Sequence, residues 1–487
     1  MASQEEDILA GCGGPVTASR TLRAIGLALV LASVSSCIRY QARPIEPAKA
    51  VEDFEARRLD APELGAFLMA NKEVETWPPA VWDLKSLTLA AFYYHPDLDV
   101  ARASYGVARA GVKTAGEIPN PTLGLLMGYN TTSPRSEVTP WIPEVSLDIP
   151  IEVAGKRRIR IAQAREFVAS ARWQVLATAW GVRSRLRAAL LEVYAAGESE
   201  TLLAEQEKLQ TELVRLLERQ KDVGEASGYD LTQARVALDQ SRLASIEASR
   251  RSEEARAALA AAVGLPRRAF EGVRLSFDDL RRPEPDFPAG EVRLHAVLNR
   301  SDILGALAEY EASQAALKLE IAKQYPDISL GPNYQLDQTD SKWTLGLSIE
   351  LPIFSHHRGP IAEAMAARQE NAARFLALQT QVLGELDAAV EDCRAAVRKS
   401  RTADDLLAHL TAQERAAKAQ RDLGEISRPE YLGIAIELNA GAQARLEALV
   451  QAQEAVGRLE NAAQSPLDVK DWITTLTRTP ESPAKEH

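Results

Sequence analysis

Two stretches of this chain, residues 155–222 and 360–422, contain no proline after their first residue and are rich in Ala, Leu, Glu, Gln and Arg, which favour helix. In the first, Leu186, Leu190, Val193, Leu209, Leu213 and Leu216 fall at helical spacings. About 65 helical residues, rising 1.5 Å each, make a rod of roughly 100 Å. No single globule surrounds such a rod, and a helix of that length without internal caps reads as coiled coil. Shorter segments supply its partner. Residues 97–117 and 229–263 together approach the length of the first rod, and 302–323 with 430–463 that of the second. Two short helices stacked end to end can therefore run alongside each long one.

The rods belong to an internal duplication. The string DVGEAS at 222–227 recurs as DLGEIS at 422–427, SLDIPIEV at 146–153 as SIELPIFS at 348–355, and PNPTLGLLMGY at 119–129 as QYPDISLGPNY at 324–334. Each copy reads helix, two strands, a very long helix, a turn and another helix. Between the copies, Pro266, Pro283, Pro285 and Pro288 with Gly264 and Gly290 mark a connector. The divisions that follow are 1–36 as a signal, 37–86 as an amino-terminal segment, 87–263 and 291–464 as the two repeats, 264–290 as the connector and 465–487 as a tail.

The predicted strands, about 121–130, 143–153, 327–337 and 343–354, alternate in character. Val145, Leu147, Ile149, Ile151 and Val153 are interleaved with Ser146, Asp148, Pro150 and Glu152. Trp343, Leu345, Leu347, Ile349, Leu351 and Ile353 are interleaved with Thr344, Gly346, Ser348, Glu350 and Pro352. Leu123, Leu125, Met127 and Tyr129 form a third such segment, and Ile328, Leu330, Tyr334 and Leu336 a fourth. Each has a length that spans a bilayer as a tilted strand. A soluble sandwich would show the same alternation. Four strands leave two open edges that lipid cannot satisfy, and membrane barrels start at about eight strands. If these strands cross a membrane, several chains pool them in one barrel, with Asp148, Glu152 and Glu350 turned toward its lumen.

At the amino terminus, Arg20 and Arg23 precede an apolar run, 24–34, that small residues follow, the order of a secretory signal. That run is too short to cross a bilayer as a helix. It ends in Val34-Ser35-Ser36-Cys37, which resembles the lipobox of bacterial lipoproteins and implies that Cys37 carries lipid, palmitate included. Ile38 follows where that resemblance would place Asp for retention at the inner membrane, so export to the outer membrane is implied. Cys12 leaves with the signal, and Cys393 is then alone, which excludes a disulfide framework and a cysteine-based zinc site. The net charge of −11 argues against nucleic acid as a partner.

No phosphate-cradling glycine loop, zincin helix, CxxC or local nucleophile signature is present, so the sequence does not read as an enzyme, and no cofactor is indicated. His356 and His357 point apart on an extended chain and make an incomplete metal site, better read as linker residues. Ser227 with Asp230 and Ser427 with Glu430 have capping-box spacing, and Gly224 and Gly424 suit the left-handed residue that closes a helix. Asp230 and Glu430 also suit a ring of carboxylates at a tunnel mouth, which would attract cations.

Taken together, the duplicated GEAS and GEIS turns, the DIPIE and ELPIF strand ends, and AGKRRIRIAQA at 154–164 resemble the TolC family of outer-membrane efflux proteins, over about residues 87–464. The last string is similar to the cobalt-zinc-cadmium and copper-silver efflux branch, whereas the second copy has SHHRGPIAEA in its place. The resemblance implies a mostly α protein with a membrane β-barrel part. It implies a homotrimer whose twelve strands close one barrel in outer-membrane lipid, continued by a helical coiled-coil tunnel through the periplasm. It further implies a passive efflux channel, for metal cations in the branch named above, served by a periplasmic adaptor (membrane fusion) protein and an inner-membrane pump of the RND type. In that reading Asp230 and Glu430 sit at the periplasmic gate. The competing expectation is a structural or adaptor-type coiled-coil lipoprotein without a channel. An adaptor would show one helical hairpin inside a small β domain, where this chain has two hairpins and four amphipathic strands.

Overall fold

A computed structural model describes residues 39–71, 76–131, 139–281 and 289–467. Cys37 and the signal segment lie outside the described residues. The chain divides into two units, Met1–Ala56 and Arg57–His487. Of the first, helix α1 (Pro47–Glu55) is described, with no buried residue.

The second unit begins with α2 (Pro62–Ala70) and α3 (Leu84–Tyr94), then repeats one motif twice. The first copy is α4 (Pro96–Ala115), β1 (Thr122–Tyr129), β2 (Trp141–Ile151), α5 (Lys156–Asp222) and α6 (Gly228–Val263). After two 3-10 turns and α7 (Ala289–Asn299), the second copy is α8 (Ser301–Ala322), β3 (Ile328–Asp337), β4 (Asp340–Ile349), α9 (Arg358–Asp422) and α10 (Arg428–Ala463). With 67 and 65 residues, α5 and α9 are each about 100 Å long. Neither is long and apolar enough in any window to cross a membrane, nor is any other described helix.

The short helices do stack end to end, and an arginine fastens each joint. Gly264 closes α6 with a φ of +85°, and an added Cβ there would stand 3.0 Å from the Tyr94 carbonyl oxygen, so only glycine lets α6 meet the start of α4. Arg57 donates to both the Tyr94 and Gly264 carbonyls, at 3.0 and 2.9 Å. At the second joint Arg300 donates to the Ala462 carbonyl at 2.6 Å, and Ser301 donates its N–H and hydroxyl to Gln464 Oε1.

The main apolar core lies where α2, α3, the middle of α5 and the end of α6 meet, around Leu64, Leu87, Leu186, Leu190 and Leu259. A fully buried leucine stabilises by about 1.5–3 kcal/mol. A second cluster joins α7, α9 and α10 around Leu386, Cys393 and Leu459. Between these regions a buried polar network ties α5 to α10. Arg183 and Arg187 share Glu460, at 3.1 and 3.3 Å, while Arg187 also donates to the carbonyl and side chain of Gln453.

The strands form one antiparallel sheet in chain order, β1-β2-β3-β4. Leu123 faces Leu147, Ile149 faces Leu330, and Leu330 faces Leu347. The strand bounds differ most from the sequence reading at β4, which starts three residues earlier and stops at Ile349 instead of reaching 354. Ile349 lies opposite Ile328, the first residue of β3, so beyond it the chain has no strand beside it.

Candidate functional site

Because paired residues in a sheet share a face, the register sorts every strand residue by side. One face carries Leu123, Leu125, Met127, Tyr129, Trp141, Val145, Leu147, Ile149, Leu330, Tyr334, Trp343, Leu345 and Leu347. The other carries Asp148, Ser146, Glu144, Ser329, Asn333, Gln335, Lys342, Thr344 and Ser348, together with Leu126 and Ile142. On the polar side Asn333 donates to Glu144 Oε1 at 2.9 Å across β2 and β3. On the apolar side Tyr129 stacks edge-on with Trp141 and Tyr334 tilts against Trp343, with centroids 4.9 and 4.7 Å apart. Leu125, Leu345 and Trp343 are among the most exposed apolar residues of the chain. Such a face, with open edges at β1 and β4, needs an apolar environment and further strands.

Where strands become helices, charged groups gather around a cleft of about 590 Å³ lined by Glu152, Lys156, Arg160, Lys323, Asp327, Glu350 and His357. Lys156, buried at the start of α5, donates to Asp327 Oδ1 at 2.8 Å, and the Val153 N–H reaches the same oxygen at 3.0 Å. Burial alone would raise the Asp327 carboxyl, but these bonds and the nearby Arg160 outweigh it and hold it below the usual carboxylate value. Glu152 lies one residue beyond β2 and pairs with Arg160. Arg157 donates to the Gly116 carbonyl at 2.6 Å and Arg160 to that of Ala115 at 3.4 Å, so the basic run in AGKRRIRIAQA clasps the end of α4. In the sequence alone that string carries only a family likeness. Four cations within five residues, Lys156, Arg157, Arg158 and Arg160, are the available signal, and Asp327 is invisible without the fold.

In the second copy His357 caps α9 with a φ of +60°, in the place of Gly155 at +69°. Its Nε2 lies 3.0 Å from Glu320 Oε2, and Lys323 donates to the other oxygen at 2.7 Å. Burial raises the Glu320 carboxyl, yet the bonds from Lys323 and His357 prevail and keep it low. His356 is exposed, and among the described residues no group of His, Cys, Asp and Glu could hold a metal ion. Glu350 is exposed just past β4, and Asp148 is exposed on the polar face opposite Thr122.

Some 100 Å away along α5, both hairpin turns close identically. Gly224 and Gly424 have φ of +80°. The Glu225 N–H bonds Gln220 O at 2.7 Å and the Glu425 N–H bonds Gln420 O at 2.8 Å, each a six-residue closure that ends a helix. The next helices start differently. Ser227 and Asp230 form the full reciprocal box, with the Ser227 hydroxyl 2.7 Å from Asp230 Oδ2. Ser427 accepts from the Glu430 N–H at 3.3 Å, but the carboxylate does not reach back. A glutamate loses more rotamer freedom than an aspartate in closing that bond. Asp230 is thus occupied by the cap, whereas the exposed Glu430 carboxylate faces solvent. Nearby, Arg428 reaches across to Glu212 of α5 with Nε at 3.0 Å, and Arg421 stacks on Tyr431 at 4.4 Å.

Residues 91–265 match the family described as outer membrane efflux protein. The cobalt-zinc-cadmium resistance protein CzcC of Cupriavidus metallidurans is 29% identical over 287 residues, 58% of this chain, which spans 65% of that relative's length. Among solved structures, the CmeC outer membrane channel of Campylobacter jejuni superposes with a TM-score of 0.66 at 18% identity, over 82% of this chain and 90% of that one. The outer membrane protein VceC of Vibrio cholerae does so with 0.63 at 20% identity, over 79% and 97%. At these identities the likeness is one of fold.

Proposed function

We propose that this chain, whose residues 91–265 match the outer membrane efflux protein family, is a member of that family and the channel subunit of a tripartite efflux system in the outer membrane of a Gram-negative bacterium. Three copies pool twelve strands into one barrel, and their long helices form a tunnel through the periplasm. The observation that carries this reading is the sheet, whose one face is apolar apart from Ser341 near the β3-β4 turn while its two edges are open. Lipid tolerates that only in a closed barrel, and four strands cannot close one. The polar face, with Asp148 and Glu144, then lines the lumen.

The protein is a passive conduit and catalyses no reaction. A periplasmic adaptor meets the far end of the helices, and an inner-membrane pump of the RND type supplies the energy. Metal cations are the cargo that the similarity to CzcC favours, and acidic groups on the lumen face and at Glu430 suit them. Cys37 carries the lipid anchor, so Cys37→Ala should abolish incorporation of labelled palmitate. Outer-membrane fractions run unheated on detergent gels should show a band at the trimer mass that collapses on boiling, and the purified protein should conduct in planar bilayers. A monomeric chain without conductance would sink the proposal. Sensitivity of a deletion strain to cobalt, zinc and cadmium salts rather than to organic drugs tests the cargo.

A further inference from the structure

The two joints between stacked helices follow one plan but differ in the side chain that starts the upper helix. At the first joint His95 separates α3 from α4; at the second, 205 residues on, Arg300 stands before α8, with Asp302 in the place of Asp97. His95 is 8% exposed, and a Cβ on Gly264 at the end of α6 would stand 3.0 Å from its Cα. The Asp97 N–H donates to the His95 Nδ1 at 3.2 Å, which satisfies one of the orphan donors in the first turn of α4. A ring nitrogen that accepts carries no proton, so this ring is neutral. The Asp97 carboxylate is left to α5, where Arg185 donates to its Oδ2 at 2.5 Å. The same oxygen lies 3.8 Å from the His95 Nδ1, near the ring but not bonded to it.

The second joint shows the other arrangement. The buried Arg300 grips both oxygens of Asp302, with Nε 3.0 Å from Oδ1 and Nη2 2.6 Å from Oδ2, and its side chain gives α8 no cap. α9 brings acids to this level instead of an arginine. Glu385 stands 3.8 Å from Arg300, and Asp387 is held by Arg293 at 2.6 Å. Among the described residues nothing on α9 bonds Asp302. One copy of the motif thus has a neutral cap and an aspartate bound to the long helix, and the other has a cation that keeps the aspartate to itself. Histidine passes between these two characters at about pH 5–8.

We propose that His95 is a proton-operated latch: neutral, it caps α4 and leaves Asp97 to Arg185, and protonated, it takes Asp97 as Arg300 takes Asp302 and releases α4 from α5. One proton from solvent adds to Nδ1. The Asp97 N–H loses its acceptor, the ring N–H turns to the carboxylate, and Arg185, already half in water, is set free. The latch is built within one chain and does not depend on the channel reading.

The charges around the ring suit a switch. Asp97 and Asp99 on α4 favour the protonated ring, and Arg185 on α5 opposes it. α6 brings only the uncharged turn 260–264, the Tyr94 hydroxyl on α3 donates to the Arg58 carbonyl, and the Arg57 guanidinium is bound to the Tyr94 and Gly264 carbonyls. Burial outweighs the two carboxylates and holds the ring below its ordinary value of 6.5. The neutral arrangement therefore holds at pH 7, and acid operates the latch.

The hold of Arg185 on Asp97 is the readout, in the full-length protein purified in detergent. At pH 7, Arg185→Gln should lower the melting temperature by about 1–2 °C, the size expected of a half-exposed ion pair. At about pH 5 the wild type has already released Arg185, so the same substitution should cost nothing. His95→Asn keeps an acceptor for the cap and cannot be protonated. In that background the cost of Arg185→Gln should persist at about pH 5, because Asp97 is held below its ordinary 3.8 by the bond from Arg185 and stays ionised. A cost that persists in the wild type at about pH 5, or one that fades equally in His95→Asn, overturns the latch. So does an Arg185→Gln protein as stable as wild type at pH 7, since there is then no hold to release. Exchange of the histidine C2 hydrogen, followed by mass spectrometry, titrates His95 directly. Its midpoint should lie below 6.5 and rise in Arg185→Gln, where Asp97 is no longer contested; a midpoint indifferent to Arg185 overturns the proposal.

Discussion

Replacing Lys156 by Met probes the junction between sheet and helices with little change in packing, because methionine keeps most of the aliphatic stem. The lysine side chain is 7% exposed and its partner Asp327 43%, so the pair is neither a surface pair nor a sealed one. Exposed pairs contribute about 0–1 kcal/mol, whereas removing one partner of a buried pair costs about 3–5 kcal/mol. With one partner buried and the other half in water, the expected loss is about 2 kcal/mol. Asp327→Asn keeps an acceptor for the Val153 N–H, so a double-mutant cycle should return a coupling of about 1–2 kcal/mol.

The pH dependence has a definite sign. Asp327 is held below its ordinary value of 3.8, so the pair's contribution is complete above that pH and disappears as pH falls through the lower folded value. Wild type and Lys156→Met should therefore differ fully at pH 7 and converge below about pH 4. Thermal unfolding of the purified protein in detergent, followed by circular dichroism, reads both effects. A mutant within 0.5 kcal/mol of wild type at pH 7, or a cycle with no coupling, would refute the reasoning.

Two further perturbations separate the faces and ends of the molecule. Leu147→Arg or Leu347→Arg places a charge on the apolar face and should cost roughly 2–4 kcal/mol near a bilayer midplane, while Asp148→Asn should leave assembly intact; equal loss of trimer from both kinds of change would count against the barrel. At the helix turns, Glu430→Gln should lower cation-to-anion selectivity in planar bilayers more than Asp230→Gln does, because Asp230 is engaged by its cap. Ser227→Ala should cost on the order of 1 kcal/mol and spare selectivity, and unchanged permeability in the Glu430 variant would leave that residue without a role in selection.

Periodicity and duplication made the long rods, their stacked partners and the two-faced strands legible, because each depends on spacing along one element. The hairpin turns were equally readable, since Gly224 and Ser227 act on backbone groups within a few residues. What escaped was chemistry between distant segments. Lys156 meets Asp327 across 171 positions, and Arg187 meets Gln453 across 266. Nothing local distinguishes those arginines and lysines from solvated ones. Alternation made Glu152 a strand acid, but it lies one residue beyond β2, and its pairing with Arg160 on the next helix had no local signal. The box at Ser427 and Glu430 matched the spacing rule and yet formed only by half, since spacing permits a bond without making it favourable.

The distribution of these long-range bonds follows from chain connectivity. Each hairpin is joined by a short loop, but β2 and β3 are separated by the whole of α5, α6, α7 and α8. The gap from Ile151 to Ile328 is roughly four doublings longer than that from Tyr129 to Trp141, and each doubling adds about 0.6 kcal/mol of closure entropy. The seam that unites the two repeats is therefore penalised by about 2.4 kcal/mol more than the first hairpin. Polar side chains cross at this seam: Lys156 and the Val153 N–H to Asp327, and Asn333 to Glu144. The loss of about 2 kcal/mol expected for Lys156→Met is comparable to that penalty.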